Sequence, residues 1–303
     1  MSQNPFFVPL TDHGLIRASG EDAASFLHNL LTNDISHLAE GQARNAGLCT
    51  AKGRMIASLT IWREGNDYLL LLSADILPGI LKKLSMYVLR SKVKLADITG
   101  ERVLLGTVGP FVTPGSPVGP AEPMTTAASE GGTAIRLDVN RCVLAVPMEK
   151  AAAIQAGLGA AGNLDDWHLT EIRAGMPRIV AATQEAFTPQ MVNYEIAAVG
   201  GVSFQKGCYP GQEIVARTQY LGKVKRRMVR AKLETAFPPG TDVFTPEAGE
   251  QHCGAVVLTA PAPEGGFESL LVVQSSGAEA DAVHVGKPDG PHAQILPLPY
   301  TVA

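Results

Sequence analysis

One cysteine stands among residues that could make its thiol a nucleophile or a metal ligand. Cys208 lies in the segment Lys206-Gly207-Cys208-Tyr209-Pro210-Gly211-Gln212-Glu213, where two glycines and a proline predict a tight, irregular loop. Positive charge from Lys206, and from Arg217 further along the chain, favours the thiolate, which is the reactive form. The N-terminal amides of a helix predicted to begin near Gln212 would favour the thiolate further.

Cys208 has a second interpretation as a small core residue, because free cysteine is among the most buried residue types. The residues alone leave both interpretations open. The other three cysteines, Cys49, Cys142 and Cys253, are expected to be core residues. Because no two cysteines form a Cys-x-x-Cys pair, a zinc site and a disulfide scaffold are both disfavoured, and we predict no metal ligands and a reducing compartment.

The composition is that of a folded protein with ample apolar material. The chain has 303 residues, of which 46% are hydrophobic and 18% charged, and this is enough for two or three packed units. The net charge of -4 disfavours a general nucleic-acid coat but leaves room for a local basic patch. The N-terminus lacks a leader pattern, and the most apolar run, 68–81, is too short to span a bilayer. We therefore expect a cytoplasmic protein without membrane contact.

The first two thirds of the chain mix helix and strand patterns. Hydrophobic periodicity predicts helices at 23–31, 76–89, 149–158, 164–174 and 212–221. Strands are predicted at 15–19, 48–62, 67–73, 92–96 and 103–108, with a hairpin over 134–146. A segment rich in Pro, Gly, Ala and Thr, 110–132, is predicted to be a loop.

After Gly222 the pattern changes to short strands between Pro- and Gly-rich turns. These strands are predicted at 226–233, 254–259, 269–273, 284–285 and 294–296, which is typical of a small β-barrel. The predicted fold class is therefore α+β with a C-terminal β-barrel. We expect an α+β region over 1–222, made of two subdomains with the second inserted at roughly 49–130, and a barrel over 223–303.

A basic stretch without acidic residues joins these two regions. It contains Arg217, Lys223, Lys225, Arg226, Arg227, Arg230 and Lys232, with Tyr220 among them. Such a stretch can be a binding surface for polyglutamyl folate, RNA or an acidic protein. It can equally be the solvated face of a strand and turn.

The cysteine segment also carries a resemblance to a known family. Lys206 to Glu213 matches the signature Lys-Gly-Cys-aromatic-x-Gly-Gln-Glu at every specified position, with Gly207, Tyr209 and Gly211 as motif residues. By this match the chain resembles the YgfZ group of folate-binding proteins, which is related to a mitochondrial iron–sulfur assembly factor and to the glycine-cleavage aminomethyltransferase, or T-protein. The resemblance extends over nearly the whole chain through Phe26–Asp34, Lys52–Arg54, Arg173–Pro177, Phe187–Gln190 and Leu298–Tyr300.

The resemblance implies a fold and a cofactor. The implied fold has three units in a ring around a central folate channel, and the implied cofactor is tetrahydrofolate or a derivative. Trp167 would stack on the pterin, His13 would replace a second aromatic contact, and Arg173, which stands at the position of a pterin-binding carboxylate, could meet the glutamate tail instead. By themselves, Trp167 is equally a half-buried tryptophan at a domain seam, and His13 an exposed loop residue.

The catalytic acids of the transferase relatives are missing. Ala57 and Ser58 occupy the matching positions, and neither can act as a general base near neutral pH. We therefore expect a folate-binding accessory protein for iron–sulfur cluster assembly or repair, in which Cys208 is the reactive thiol and Lys206 promotes its thiolate. Gln212 and Glu213 would orient the loop.

Two other functions stay open at this point. One is a folate-dependent one-carbon transferase of the aminomethyl type that uses another base. The other is an RNA-binding module that uses the basic stretch. The expected partners are folate and iron–sulfur client enzymes, including those that modify tRNA, and a transient iron–sulfur cluster stays open as cargo. The acidic net charge favours an indirect connection to tRNA over direct contact.

Overall fold

The chain divides into two compact units. The computed structural model describes residues 5–109, 120–222 and 224–302. Unit 1 comprises Met1–His28, Asp34–Asn45 and Leu59–Trp167, and unit 2 comprises Asn29–Asn33, Ala46–Ser58 and His168–Ala303. The predicted boundary after residue 222 falls inside unit 2, and the predicted subdomains stay a prediction.

Six α-helices lie in the described residues: α1 (Ala23–Leu30), α2 (Leu77–Tyr87), α3 (Ala151–Gly157), α4 (Leu164–Arg173), α5 (Gln212–Leu221) and α6 (Ser275–Glu279). Helix α2 shows the underlying pattern, because Leu77, Ile80 and Leu84 recur every three or four residues and are all buried. The five predicted helices are confirmed to within two residues at either end. The sequence did not predict α6, which is only five residues long.

The strands of the described residues form three sheets. They are β1 (Phe6–Pro9), β2 (His13–Ser19), β3 (Ala43–Cys49), β4 (Met55–Glu64), β5 (Asp67–Ser73), β6 (Lys94–Asp97), β7 (Arg102–Val108), β8 (Thr125–Ser129), β9 (Gly132–Arg136), β10 (Arg141–Pro147), β11 (Ala160–Ala161), β12 (Arg226–Leu233), β13 (Asp242–Phe244), β14 (Gly254–Pro261), β15 (Phe267–Gln274), β16 (His284–Val285) and β17 (Gln294–Leu296). The three strand orders are β11-β1-β7-β10-β9-β8, β3-β4-β5-β2-β6 and β16-β13-β14-β15-β12-β17.

Two predicted segments are wrong in detail. The single strand predicted over 48–62 is two strands, β3 and β4, because the chain turns at residues 50–54, where Gly53 has a φ of +69°. Of the predicted loop over 110–132, residues 110–119 lie outside the described residues. The rest of that loop contains β8, which pairs with β9. The small side chains of β8 carry no strand pattern, so its pairing with β9 decides its structure.

The core of unit 1 contains both tryptophans. Trp62 and Trp167 are 0% and 1% exposed and belong to one cluster of buried side chains. The indole of Trp167 lies against Gly106 of β7, where a Cβ atom would come within 2.5 Å of the ring. The guanidinium of Arg141 lies 5.6 Å from the Trp167 ring centroid, which is a cation–π distance. The indole can therefore occupy this space because Gly106 has no side chain.

Unit 2 has a core on each face of its six-stranded sheet. Leu270 and Val272 of β15 belong to one buried cluster, and Leu271 and Val273 belong to another. This alternation follows from the pleat of a strand, because successive side chains point to opposite faces. The first cluster also contains Ile172 of α4, so residues before and after position 222 share a core. Closure of this sheet into a barrel, and the ring around a folate channel, stay predictions.

None of the helices in the described part of the chain is long and apolar enough to cross a membrane.

Candidate functional site

The cysteine segment ends in a tight turn that starts helix α5. The amide N–H of Gln212 donates to the carbonyl oxygen of Tyr209 at 3.1 Å, and Gly211 between them has φ 82° and ψ 0°. These dihedrals, with Pro210 before the glycine, are those of a type II turn, which favours proline and glycine in this order. The predicted irregular loop and the predicted helix start are both confirmed, and Glu213 places a carboxylate in the first turn of α5.

Gly211 packs directly on the backbone of the turn at residues 50–54, which we call the glycine turn. A Cβ atom on Gly211 would come within 2.4 Å of the carbonyl oxygen of Thr50 and 2.7 Å of the Cα atom of Gly53. A Cβ atom on Gly53 would lie 3.0 Å from the Cβ atom of Ile214 in α5. The two motifs Lys52–Arg54 and Lys206–Glu213 therefore meet, with no room for a side chain between them.

Lys206 points into unit 2 rather than into solvent. It is 8% exposed, and its Nζ atom donates to the carbonyl oxygen of Leu31 at 2.9 Å. The same ammonium lies 4.6 Å from the ring centroid of Tyr209, which is a cation–π distance. Tyr209 is itself buried, and burial raises the pKa of its phenol. The two side chains that flank Cys208 therefore hold the loop, and the action of Lys206 on the thiol stays a prediction.

Thr32 fixes the chain that leads into this loop, and the sequence analysis did not single it out. Its hydroxyl donates to the carbonyl oxygen of Gly201 at 2.6 Å and accepts from the N–H of Gly47 at 2.7 Å. The backbone carbonyl of Thr32 accepts from the N–H of Ser203 at 3.0 Å. Asn33 adds a side-chain bond to the carbonyl oxygen of Gly200. The signal in the sequence that could have indicated these contacts is the polar pair Thr32 and Asn33 shortly after the end of helix α1.

Gln190 holds helix α5 from another side. This side chain is 0% exposed, and its Nε2 atom donates to the backbone carbonyl of Val215 at 2.7 Å. Its neighbour Phe187 accepts the N–H of Met55 at its carbonyl oxygen, next to the glycine turn. The motif Phe187–Gln190 thus bonds both helix α5, which begins directly after Gly211, and the residue that follows the glycine turn.

The motifs Arg173–Pro177 and Leu298–Tyr300, both in unit 2, also contact each other. The hydroxyl of Tyr300 donates to the carbonyl oxygen of Gly175 at 2.7 Å. Gly175 has a φ of +65°, and a Cβ atom there would lie 2.7 Å from the Tyr300 ring. Burial raises the pKa of Tyr300 to about 12, so this hydroxyl stays a donor at any physiological pH.

Of the four cysteines, Cys208 has an exposed thiol and the other three have buried thiols. Cys49, Cys142 and Cys253 are buried, as predicted, whereas Cys208 is exposed. This excludes the interpretation of Cys208 as a core residue. Burial raises the pKa of Cys49 to about 12 and that of Cys142 to about 11, so both stay neutral thiols near pH 7.

The two positions at which the transferase relatives are expected to carry acids are buried in this protein. Ala57 is 0% exposed and Ser58 is 8% exposed, both on β4. The Ser58 hydroxyl oxygen accepts the backbone N–H of Ile179 at 2.9 Å. Ser58 thus has a structural contact.

Arg173 lies in an ion-pair network within unit 2. Its Nη2 atom is 2.7 Å from Oε1 of Glu268 and 3.3 Å from Oε2 of Glu264. Glu268 also pairs with Arg230, whose Nε atom lies 3.3 Å from Oε2. Any contact of Arg173 with a folate tail would therefore compete with two carboxylates.

The other two predicted cofactor contacts belong to unit 1. His13 is 6% exposed rather than on an exposed loop, and its Nδ1 atom is 2.8 Å from Oδ1 of Asp12. It begins β2, and the pairing of β2 with β5 buries it. Trp167 lies in the core described above. A ligand could stack on this indole only after one of its faces is exposed, so the folate contacts stay predictions.

Within the basic stretch, two arginines are paired with carboxylates. Arg227 forms an ion pair with Glu195, and Arg230 pairs with Glu268 as described. Arg217 and Lys225 are exposed, and Lys223 lies outside the described residues. The stretch is therefore partly neutralised by acids that are distant in sequence, which the sequence analysis could not foresee.

Across the residues that the structure describes, no group of three or more His, Cys, Asp or Glu side chains is arranged to hold a metal ion.

Comparisons with known proteins give relatives over nearly the whole chain. The family described as "GCVT N-terminal domain" matches residues 9–113. The chain is 31% identical over 305 residues to the tRNA-modifying protein YgfZ of Photorhabdus laumondii, and the match covers 97% of this chain and 92% of that protein. It is 30% identical over 312 residues to the protein of the same name from Escherichia coli O127:H6, with the same coverage.

A solved structure shows the same fold. The glycine cleavage system aminomethyltransferase T of Bartonella henselae matches with a TM-score of 0.75 at 18% sequence identity, over 96% of this chain and 84% of that one. The chain therefore has a T-protein-like fold, and at this identity the likeness concerns the fold alone.

The glycine contact predicts a severe effect of Gly211→Ala. A left-handed φ costs a non-glycine residue about 1–2 kcal/mol, and a Cβ atom against rigid backbone adds about 1–3 kcal/mol. We expect the free energy of unfolding to fall by roughly 3 kcal/mol in total, measured by urea denaturation. Gly41→Ala is the matched control, because Gly41 has a φ of +83°, lies at the same position of a turn closed by the Gln42 N–H and the Ala39 carbonyl, and has nothing within 4 Å of its Cβ position. Equal losses in the two variants would contradict the packing argument.

The burial of the cysteines predicts selective alkylation. In the folded protein, iodoacetamide at about pH 8 should modify Cys208 and leave Cys49, Cys142 and Cys253 unmodified, because the alkylating agent needs an accessible thiolate. In denaturant all four should react, as read by mass spectrometry of peptides. Cys208→Ser should lack the fast-reacting thiol. Rapid labelling of a buried cysteine in native protein would contradict the assignment.

Proposed function

The chain belongs to the family of the tRNA-modifying protein YgfZ, and from this membership we propose that it is a folate-binding accessory protein for iron–sulfur cluster assembly or repair. In this proposal it supports iron–sulfur enzymes that modify tRNA, and Cys208 is its reactive thiol. The observation that carries the proposal is an exposed thiol on a loop that is fixed on both sides by buried contacts.

The contacts of the loop support a role in which the thiol meets another molecule. Lys206 and Tyr209 are buried on either side of Cys208, so the sulfur is presented without being free to collapse into the core. A held nucleophile loses less conformational freedom on reaction than a flexible one. Lys206 would act as a positioning residue, together with the turn that places Gln212 and Glu213 at the start of α5.

Two chemical roles fit such a thiol. As a thiolate it can donate an electron pair to an iron of a cluster in transit. Alternatively it can attack one sulfur of a client disulfide, in which case the other sulfur leaves as a thiolate. Both roles need access to solvent and to a partner, and the exposed position of Cys208 supplies that access.

A transferase activity has less support. Ala57 is apolar, and the Ser58 hydroxyl already accepts the Ile179 N–H, so neither position offers a general base. The folate part of the proposal is that a folate serves as a bound cofactor near Trp167, with His13 and Arg173 as further contacts.

The thiol role predicts loss of function in cells for Cys208→Ala. In a strain that lacks the native protein, we expect wild type to restore iron–sulfur enzyme activity and Cys208→Ala to restore none above the empty vector. The reason is that alanine offers neither a ligand nor a nucleophile. The measurement is client enzyme activity at matched protein levels. Cys253→Ala, which removes a buried thiol instead, is the control and should restore activity. Full restoration of client enzyme activity by Cys208→Ala would contradict the proposed role of the thiol.

The folate contact predicts a specific weakening by Trp167→Phe. Calorimetric titration with tetrahydrofolate should give a dissociation constant for Trp167→Phe roughly three- to tenfold higher than for wild type, since the larger aromatic face is lost. Trp62→Phe is the control, because Trp62 lies in the same buried cluster and has no predicted folate contact. If both variants weaken binding equally, the effect is on the core of unit 1 and the Trp167 contact is wrong.

A further inference from the structure

Helix α2 and the residues that follow it form a basic surface on unit 1. Five basic residues and no acidic residue lie between positions 82 and 94: Lys82, Lys83, Arg90, Lys92 and Lys94. Lys82, Arg90, Lys92 and Lys94 are exposed and Lys83 is half-exposed. We call residues 82–94 the α2 surface. It is opposite in sign to the whole chain, whose net charge is -4.

Large apolar side chains are exposed on the same surface. Met86 is 63% exposed, Tyr87 43% and Leu89 87%. The buried face of α2 is made by Leu77, Ile80 and Leu84, so these side chains are not needed for the core of unit 1. Three of the seven large hydrophobic residues that are exposed in the described chain thus lie within four positions, and this clustering marks a contact surface rather than scattered exposure.

The α2 surface is less neutralised than the basic stretch at 217–232. In that stretch Arg227 pairs with Glu195 and Arg230 with Glu268. On the α2 surface, among the described residues, an ion pair is found for Lys92 with Glu21. The positive charge of Lys82, Lys83, Arg90 and Lys94 therefore faces solvent and is available to an anionic partner.

We propose that the α2 surface binds single-stranded RNA. Two lysines on helix α2 and three basic residues in the segment that follows it can contact phosphates of a nucleic-acid backbone, and such contacts supply affinity by releasing counterions. An exposed tyrosine among them offers a face on which a base can stack. The proposal goes beyond the accessory function, because it involves neither Cys208 nor folate, and it moves the predicted RNA contact from the 217–232 stretch to unit 1.

RNA fits the composition of this surface better than a protein or a membrane does. The centres of protein interfaces are depleted in lysine, and three of the five basic residues here, Lys82, Lys83 and Lys94, are unpaired lysines within the described chain. Helices that lie on membranes put their apolar face into the lipid. The apolar face of α2 is instead buried in the protein.

The test is direct binding of purified full-length protein to a fluorescein-labelled oligouridylate of about 20 nucleotides, followed by anisotropy at several KCl concentrations. We expect binding at low salt that weakens with a slope of about -3 in log K against log salt, as for four phosphate contacts on a single strand. The double reversal Lys82→Glu with Lys83→Glu should weaken binding at least roughly tenfold and lower the slope by about half.

Two further variants separate the α2 surface from net charge. Arg217→Glu with Lys225→Glu makes the same change in net charge at exposed positions of the other basic stretch, and it should leave binding within about twofold of wild type. Tyr87→Ala should weaken binding at least roughly fivefold without changing the salt slope, because stacking involves no counterion release. Thermal unfolding checks that each variant is folded.

Three outcomes would overturn the proposal. The first is absence of binding at the lowest salt, and the second is equal weakening by both double reversals. The third is binding of polyglutamate, or of phosphatidylserine vesicles, that is tighter than binding of the oligouridylate at the same salt and has the same sensitivity to the Lys82 and Lys83 reversals. That result would assign the surface to an acidic protein or to a membrane.

Discussion

The contact between Gly211 and the glycine turn at residues 50–54 is the constraint on which the rest of the candidate site depends. Backbone touches backbone there, and a single methyl group would overlap the carbonyl oxygen of Thr50. A type II turn supplies the left-handed glycine, and that glycine starts helix α5. Because all four residues of this turn, 209–212, follow Cys208 directly in the cysteine segment, the position of Cys208 depends on this one contact. A flexible side chain could not replace it, since neither side of the contact can move aside.

Buried hydrogen bonds from side chains to backbone then fix the segments around that contact. Lys206 bonds Leu31, Thr32 bonds Gly201 and Gly47, and Gln190 bonds Val215. Each removes a buried backbone group from water and supplies its partner, and loss of such a partner costs about 1–3 kcal/mol. These bonds join parts of the chain that are far apart in sequence. They explain why short motifs spread over the chain occur together, because each holds another in place. The thiol of Cys208 is exposed between the buried side chains of Lys206 and Tyr209.

The sequence predicted the local elements well and the long-range partners poorly. Helix α5 was placed correctly because glycine, proline and apolar spacing act within a few residues. The turn that divides β3 from β4 was missed, because Gly53 is required by a contact with a helix more than 150 positions away rather than by its neighbours. Lys206 was assigned to the thiol because it lies two positions before Cys208, yet its ammonium contacts Leu31 and Tyr209. Glu195 and Glu268, which pair with Arg227 and Arg230, could not be predicted as their partners because they too are distant in sequence.

The burial of position 58 shows what a carboxylate would cost at this place in the fold. A carboxylate there could accept the Ile179 N–H as the Ser58 hydroxyl does. At 8% exposure, however, its charge would be taken out of water, which costs several kcal/mol unless a cation or a ligand compensates. The neutral hydroxyl of Ser58 makes this hydrogen bond without burying a charge. A thiolate at an exposed position such as that of Cys208, by contrast, keeps its hydration, so the proposed reactive thiol lies where a negative charge carries no burial penalty.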